Sequence, residues 1–162
     1  MLGMLTIFGK DRQLREAMLM EPTVSIITLG VPDVAAARRF YVDGLGWPVA
    51  MEVPGEVVFV QVGHGVALAL WGAAELAADL GPDTPVGDPA LGAIALAHNV
   101  GSDEEVGRVL AEADAAGGTI LVPPRPAIFG GLQGYFADPG GHRWEVAHNP
   151  TWSVAEDGSI TV

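Results

Sequence analysis

The sequence predicts an α+β fold in which two βαβββ modules form a curved mixed sheet shaped like a cup. An apolar run, a helix-like stretch and three short apolar runs occur in this order over residues 24–72 and again over residues 91–150. A helix-capping pattern follows the first apolar run of each copy, and glycine-rich turns separate the later runs. We expect two such related units to bury their hydrophobic faces against each other.

Length and composition predict one domain. The chain of 162 residues has 49% hydrophobic residues, 22 glycines and 12 prolines, which is typical of a turn-rich globular protein. We expect the domain over residues 22–152, a flexible extension over residues 1–21 and a C-terminal tail over residues 153–162. Met18 and Met20 offer alternative translation starts to Met1.

The charge balance excludes several classes of partner. A formal net charge of -12 with only 8 basic residues disfavours nucleic acid and anionic membrane surfaces, which bind proteins through lysine and arginine. No apolar run reaches the roughly 18 residues that a membrane span needs. The chain has no cysteine for disulfides or thiolate metal sites. A cytoplasmic location is therefore the default expectation.

In the first module, residues 24–31 are rich in β-branched residues and stop at Pro32, which predicts a buried strand. Asp33 then suits the N-cap of a helix over residues 34–42, because its carboxylate can accept hydrogen bonds from unpaired amides. Glycines in residues 43–46 predict the end of that helix. Three strands are expected over 47–53, 57–62 and 66–71.

In the second module, a Gly-, Pro- and Asp-rich loop over residues 81–89 precedes a predicted strand at 91–100. Ser102 and Glu105 have the spacing of a capping box, which predicts a helix over residues 103–116. Strands are expected at 119–122, 131–137 and 143–148, with a turn at 138–141.

Four segments resemble the vicinal oxygen chelate superfamily, which includes glyoxalase I, bleomycin-resistance proteins and extradiol dioxygenases. They are Val31–Asp33, Arg39–Tyr41, Gly44–Trp47 and Gly134–Val146. The similarity covers about residues 24–150 and implies the two-module fold. It also implies a homodimer.

Catalytic members of that superfamily hold a divalent metal with His, Gln or Glu side chains from four strands. The resemblance carries these positions onto Ile26, Ala69, Ala95 and Glu145, of which only Glu145 has a metal-binding side chain. We therefore expect no metal cofactor. The alternative is one divalent metal ion held by residues outside this alignment.

Glu145 is the candidate catalytic residue, as a general base or as a hydrogen-bond acceptor for a ligand. The alternative is a structural ion pair with Arg143, since residues two apart share a face of a strand. Asn99 shares the face of Ala95, which places His98 toward the helices as a core histidine.

Two aromatic residues complete the candidate ligand-binding set of Trp71, Asn99, Phe129, Arg143 and Glu145. Trp71 shares the face of Ala69 and suits a wall of the cup, or simple packing. Phe129 precedes two glycines that suit either a mobile lip or an ordinary tight turn.

Three functions remain open. The first is a protein that binds a small organic molecule in a metal-independent cup. The second is a lyase, isomerase or dioxygenase that works through Glu145 or through a metal. The third is a partner-binding module without catalysis.

Overall fold

The computed structural model describes residues 24–81 and 94–161. The predicted extension over residues 1–21 lies outside them, as do residues 82–89 of the predicted loop and the first three residues of the predicted strand at 91–100. Among the described residues, no helix is long and apolar enough to cross a membrane.

The first module forms a four-stranded mixed sheet with strand order β1-β4-β3-β2. β1 is parallel to β4, and the other pairs are antiparallel. Its elements are β1 Ile26–Val31, α1 Val34–Arg38, a π-helical turn Arg39–Gly44, β2 Val49–Val53, β3 Val57–Gly63, β4 Val66–Gly72 and α2 Ala73–Leu80.

The predicted helix over residues 34–42 was wrong in one respect. Asp33 caps it as expected, accepting a hydrogen bond from the amide of Ala36 at 3.0 Å. From Arg39 onward, however, the turn widens to a π-helix that ends at Gly44. The helix α2, which packs against β1 and β4, was not predicted.

The second module repeats this topology with strand order β5-β8-β7-β6. Its elements are β5 Ala95–Asn99, α3 Asp103–Ala115, β6 Thr119–Pro126, β7 Leu132–Ala137 and β8 Arg143–His148. The predicted βαβββ order is therefore confirmed in both modules.

The strand β6 runs to Pro126 and not to the predicted end at Val122. Pro123 and Pro124 lie within it, although proline lacks the amide hydrogen that a central strand needs. β6 lies at the edge of its sheet and has two register shifts against β7, and edges and bulges tolerate proline. Residues of the predicted tail pair as a short hairpin of β9 Ser153–Val154 and β10 Ile160–Thr161.

One hydrophobic core joins the two modules. Alternate residues of β1, β3 and β4 point toward α1, as those of β7 and β8 point toward α3, and all belong to one cluster of buried side chains. At the junction Phe40 and Tyr41 are 1% and 0% exposed. A Cβ atom at position 44 would lie only 2.6 Å from the Cβ atom of Ala116, the residue that follows α3. Glycine therefore fits at Gly44 where a larger residue would clash.

Two buried hydrogen bonds that share the hydroxyl of Tyr41 cross the same junction. The hydroxyl of Tyr41 donates to Oδ2 of Asp138 at 2.7 Å and accepts from Nε1 of Trp144 at 2.9 Å. Oδ1 of Asp138 accepts the amides of Gly140 and His142, which closes the predicted turn at 138–141. Burial opposes ionisation of Asp138, but hydrogen bonds from His142 and Tyr41 hold its pKa below the ordinary value.

We expect Tyr41→Phe to lower the free energy of unfolding by about 1–3 kcal/mol, since it leaves the buried Nε1 of Trp144 without an acceptor and removes one hydrogen bond to the buried Asp138. Chemical denaturation measures this loss. The chain has only one other tyrosine, Tyr135, which is half-buried, and Tyr135→Phe serves as the matched control. Its cost should stay below about 1 kcal/mol. Equal losses of unfolding free energy in the two variants would contradict a special role for the hydroxyl of Tyr41.

Candidate functional site

The register of β8 places Glu145 on the face of the second sheet that points away from the helices. Its neighbours Trp144 and Val146 are buried in the core, so Arg143 and Glu145 take the opposite side. We call this side the open face of the second sheet. Strand pairing assigns it Ala95, Ala97, Asn99, Arg125, Gln133, Tyr135, Ala137, Arg143, Glu145 and Ala147.

The corresponding open face of the first sheet is mostly apolar. Ile26 pairs with Ala67, and Thr28 pairs with Ala69, so the predicted positions Ile26 and Ala69 share this face. The face also carries Met51, Val53, Val57, Phe59, Gln61 and Trp71. Nε1 of Trp71 is buried and has no hydrogen-bond partner among the described residues.

Glu145 is hydrogen-bonded to a residue that the sequence analysis did not single out. The hydroxyl of Tyr135, directly across on β7, donates to Oε1 of Glu145 at 2.7 Å. This bond to a carboxylate raises the pKa of Tyr135, burial adds to the effect, and the charge of Arg125 opposes it. Tyr135 and Glu145 are ten residues apart, and only the strand register shows that they meet.

Alanines surround this pair on the side of β5. Ala97 is paired with Glu145, Ala95 is paired with Arg143, and Ala147 is paired with Asn99. We call Ala95, Ala97 and Ala147 the alanine floor. Ala95 and Ala97 are exposed, whereas Ala147 is buried, so the accessible surface beside Glu145 lies on β5.

Two of the candidate residues, Trp71 and Phe129, lie apart from Glu145. Trp71 belongs to the first sheet, and no described contact or cavity joins it to Glu145. Phe129 lies in the turn between β6 and β7. Two hydrogen bonds close this turn, one from the amide of Ala127 to the carbonyl of Gly131 and one from the amide of Gly130 to the carbonyl of Ala127.

A cleft of about 650 Å³ is lined by residues of both modules and by both faces of β5, including Ala95 and Ala97 of the alanine floor. Trp47 and Trp144, whose ring centroids are 5.5 Å apart, line it together with Leu68, Leu96, His98 and the hairpin residues Asp157 and Ile160. Of the candidate ligand-binding residues, Asn99 lines this cleft, whereas Glu145, Trp71, Phe129 and Arg143 do not.

His98 lies on the helix-facing side of β5, as expected, but it is exposed, so the prediction of a core histidine was wrong. Partial burial and then the positive charge of Arg108 lower its pKa below the ordinary value of 6.5, although part of its surface stays exposed. The carboxylates of Glu105 and Glu112 act in the opposite direction.

A comparison with protein families resolves the identity of the fold. The model of the Glyoxalase/Bleomycin resistance protein/Dioxygenase superfamily matches residues 23–146. The chain belongs to this superfamily. A comparison with curated proteins found no match.

Solved structures of superfamily members share this fold. A glyoxalase-related enzyme from Fulvimarina pelagi is 41% identical, with a TM-score of 0.79 over 88% of this chain and 99% of that one. A glyoxalase/bleomycin resistance protein/dioxygenase from Nocardioides is 23% identical, with a TM-score of 0.70 over 88% and 94%. Lactoylglutathione lyase from Agrobacterium tumefaciens is 22% identical, with a TM-score of 0.62 over 83% and 99%.

The residues present do not fit the metal ion that the superfamily implies. Ile26, Ala69 and Ala95 offer hydrocarbon where a cation needs lone pairs, so Glu145 is the one metal-binding side chain at the four corresponding positions. Over residues 24–81 and 94–161, no group of three or more His, Asp and Glu side chains converges on a common point.

We expect Glu145→Gln to lower the pKa of Tyr135, because the neutral amide no longer favours the protonated phenol. The ultraviolet absorbance of tyrosinate follows this titration. Tyr41 serves as an internal reference, because burial raises its pKa well above 10.0. If the lower of the two tyrosine pKa values is the same in Glu145→Gln as in the wild type, the carboxylate does not control the pKa of Tyr135.

Proposed function

We propose that this superfamily member binds a small organic molecule, without a metal ion, on the open face of the second sheet. Glu145 is the principal polar group of the site. The observation that carries the proposal is the hydrogen bond from Tyr135 to Glu145 beside the alanine floor. A half-buried carboxylate held in one orientation beside the exposed Ala97 is suited to recognise a ligand.

The chemistry of the pair favours a ligand with a hydrogen-bond donor. Oε1 of Glu145 accepts the hydroxyl of Tyr135, and no described residue donates to Oε2. A carboxylate oxygen accepts more than one hydrogen bond, so a ligand hydroxyl or amine can bind there. Tyr135 also limits the rotation of the carboxylate, which reduces the entropy lost on binding.

The set of donors favours binding without a metal ion. Glu145 is one carboxylate, and no group of three or more His, Asp and Glu converges among the described residues. Such a site is weak for zinc, nickel or iron, since open catalytic sites use about three protein ligands. Trp71, Asn99, Phe129 and Arg143 remain candidate contacts. Of these, Asn99 and Arg143 share the open face with Glu145.

An enzyme of the lyase, isomerase or dioxygenase kind is the second candidate. The solved relative that is 41% identical is described as a glyoxalase-related enzyme, which favours this alternative. Glu145 would then act as the general base, with Tyr135 donating a hydrogen bond to it.

Ligand-induced changes in melting temperature test the proposal, because a ligand that binds only the folded state stabilises it. We expect at least one compound from a library of small polar organic molecules to raise the melting temperature of the wild type. Glu145→Gln should abolish that rise while its own melting temperature stays within a few degrees of the wild type. Elemental analysis of protein purified without chelator should find no stoichiometric metal.

Glu156→Gln is the matched control, because Glu156 lines the cleft between the modules and not the open face. It should bind the ligand like the wild type. Binding that is lost in Glu156→Gln but kept in Glu145→Gln would assign the ligand to the cleft. Stoichiometric nickel, zinc, manganese or iron would support the enzyme instead.

We also infer a homodimer. The support comes from the open face of the first sheet, where Ile26, Met51 and Val53 are 52%, 54% and 41% exposed. Because these residues share one sheet face, they form an exposed apolar patch of the kind that marks interaction sites. The modules of one chain dock through their helix-facing sides, so a second copy can reach this patch without disturbing the core.

Sedimentation should show a dimer for the wild type and a shift toward monomer for Met51→Lys, which places a charge in the patch. Ile128→Lys is the control, because Ile128 is fully exposed in the turn between β6 and β7. It should sediment like the wild type. A monomeric wild type would refute the dimer and leave the ligand proposal untouched.

A further inference from the structure

The arginines of this acidic chain are not all neutralised. Arg38 binds Glu52 and Asp43, and Arg108 binds Glu112. Arg125, on the edge strand β6, has no hydrogen-bond or ion-pair partner among the described residues. An exposed guanidinium without a partner, in a chain of net charge -12, is available to an anion from outside.

Strand register brings Arg125 next to the pair of Tyr135 and Glu145. Arg125 is paired with Gln133 on β7, and Tyr135 lies two residues further on the same face of that strand. Diagonal neighbours of this kind lie about 7–8 Å apart, within reach of long side chains. The positive charge of Arg125 acts to lower the pKa of Tyr135, although it is the smallest of the influences on that phenol.

The open face therefore presents a guanidinium on β6, a phenol on β7 and a carboxylate on β8. The two charged groups stand two strand spacings apart and are offset by two residues along the strands, so their backbones are about 12 Å apart, and their side chains reduce the gap. Guanidinium prefers carboxylate, which it can bind through two parallel hydrogen bonds. Glu145 needs a donor, namely a hydroxyl or an ammonium group.

We propose that the ligand is a short hydroxy- or amino-carboxylic acid, bound with its carboxylate at Arg125 and its hydroxyl or ammonium group at Glu145. This inference rests on the proposed function and names the ligand class for the same site. A ligand that bridges these two groups lies over Gln133 and Tyr135 of β7, and the gap between the two side chains favours a short molecule. Gln133, between the two charged groups, offers an amide to the ligand carboxylate.

Lactate, propionate and lactamide test this assignment, because they share a carbon skeleton and differ in the two groups concerned. Propionate lacks the hydroxyl, and lactamide lacks the charged carboxylate. Calorimetric or NMR titration of the full chain should show lactate binding at least about tenfold more tightly than either analogue, as expected for losing a hydrogen bond to a charged group. Equal binding of the three compounds would overturn the proposal, as would the absence of lactate binding.

Arg125→Gln separates the two ends of the ligand. We expect it to reduce the affinity for lactate to that for lactamide, while the affinity for lactamide itself stays unchanged. Arg39→Gln is the matched control, because Arg39 is also exposed but lies on the π-helical turn of the first module. It should bind lactate like the wild type. Unchanged lactate affinity in Arg125→Gln would overturn the role of Arg125.

The outcomes also distinguish this inference from the proposed function. Suppose that a neutral or cationic compound binds in a Glu145-dependent way and that Arg125→Gln does not change the affinity for any carboxylic acid. This result would refute the ligand class and leave the proposed function standing. If no compound of the library stabilises the protein, the proposed function itself fails.

Discussion

The hydroxyl group of Tyr41 is the contact on which the arrangement of the two modules depends. It gives a hydrogen bond to Asp138 and receives one from Trp144, so a side chain of the first module satisfies two polar groups of the second. Polar groups buried at this depth are costly without partners, which favours one docking geometry over others that would bury the same apolar area. Because Trp144 is held in the core, its neighbour on β8, Glu145, must lie on the opposite side of the sheet. The docking contact and the candidate site thus lie on opposite faces of the same strand, β8.

The two sheets have the same topology and different outer faces. Their helix-facing residues are alike because both must fill a common core, and valine, leucine and aromatic side chains serve that purpose in either module. Their open faces carry no such requirement. Apolar residues dominate the first, whereas arginine, tyrosine, glutamate, glutamine and asparagine occur on the second. The difference between the open faces, rather than the shared architecture, is what points to a function in the second module.

Features that depend on local chemistry could be predicted from the sequence. The caps at Asp33 and Ser102 follow from residues three positions apart, the strand at Arg143–His148 has its predicted bounds, and the superfamily was identified from short segments. Features that depend on distant contacts could not. The hydrogen bond between Tyr135 and Glu145 requires the register of two strands, and β6 extends past Val122 because its prolines meet a sheet edge. Gly44 looked like an ordinary helix end, although Ala116 approaches it from the other module.

The π-helical turn has a consequence for the length of the chain. Its hydrogen bond from the amide of Leu45 to the carbonyl of Phe40 spans five residues, so it accommodates one residue more than a regular helix would. Removing one residue between Tyr41 and Gly44 would restore regular pitch and turn everything after it by about 100° relative to Phe40. The segment should therefore tolerate many exchanges of side chains on its outer surface but no insertion or deletion.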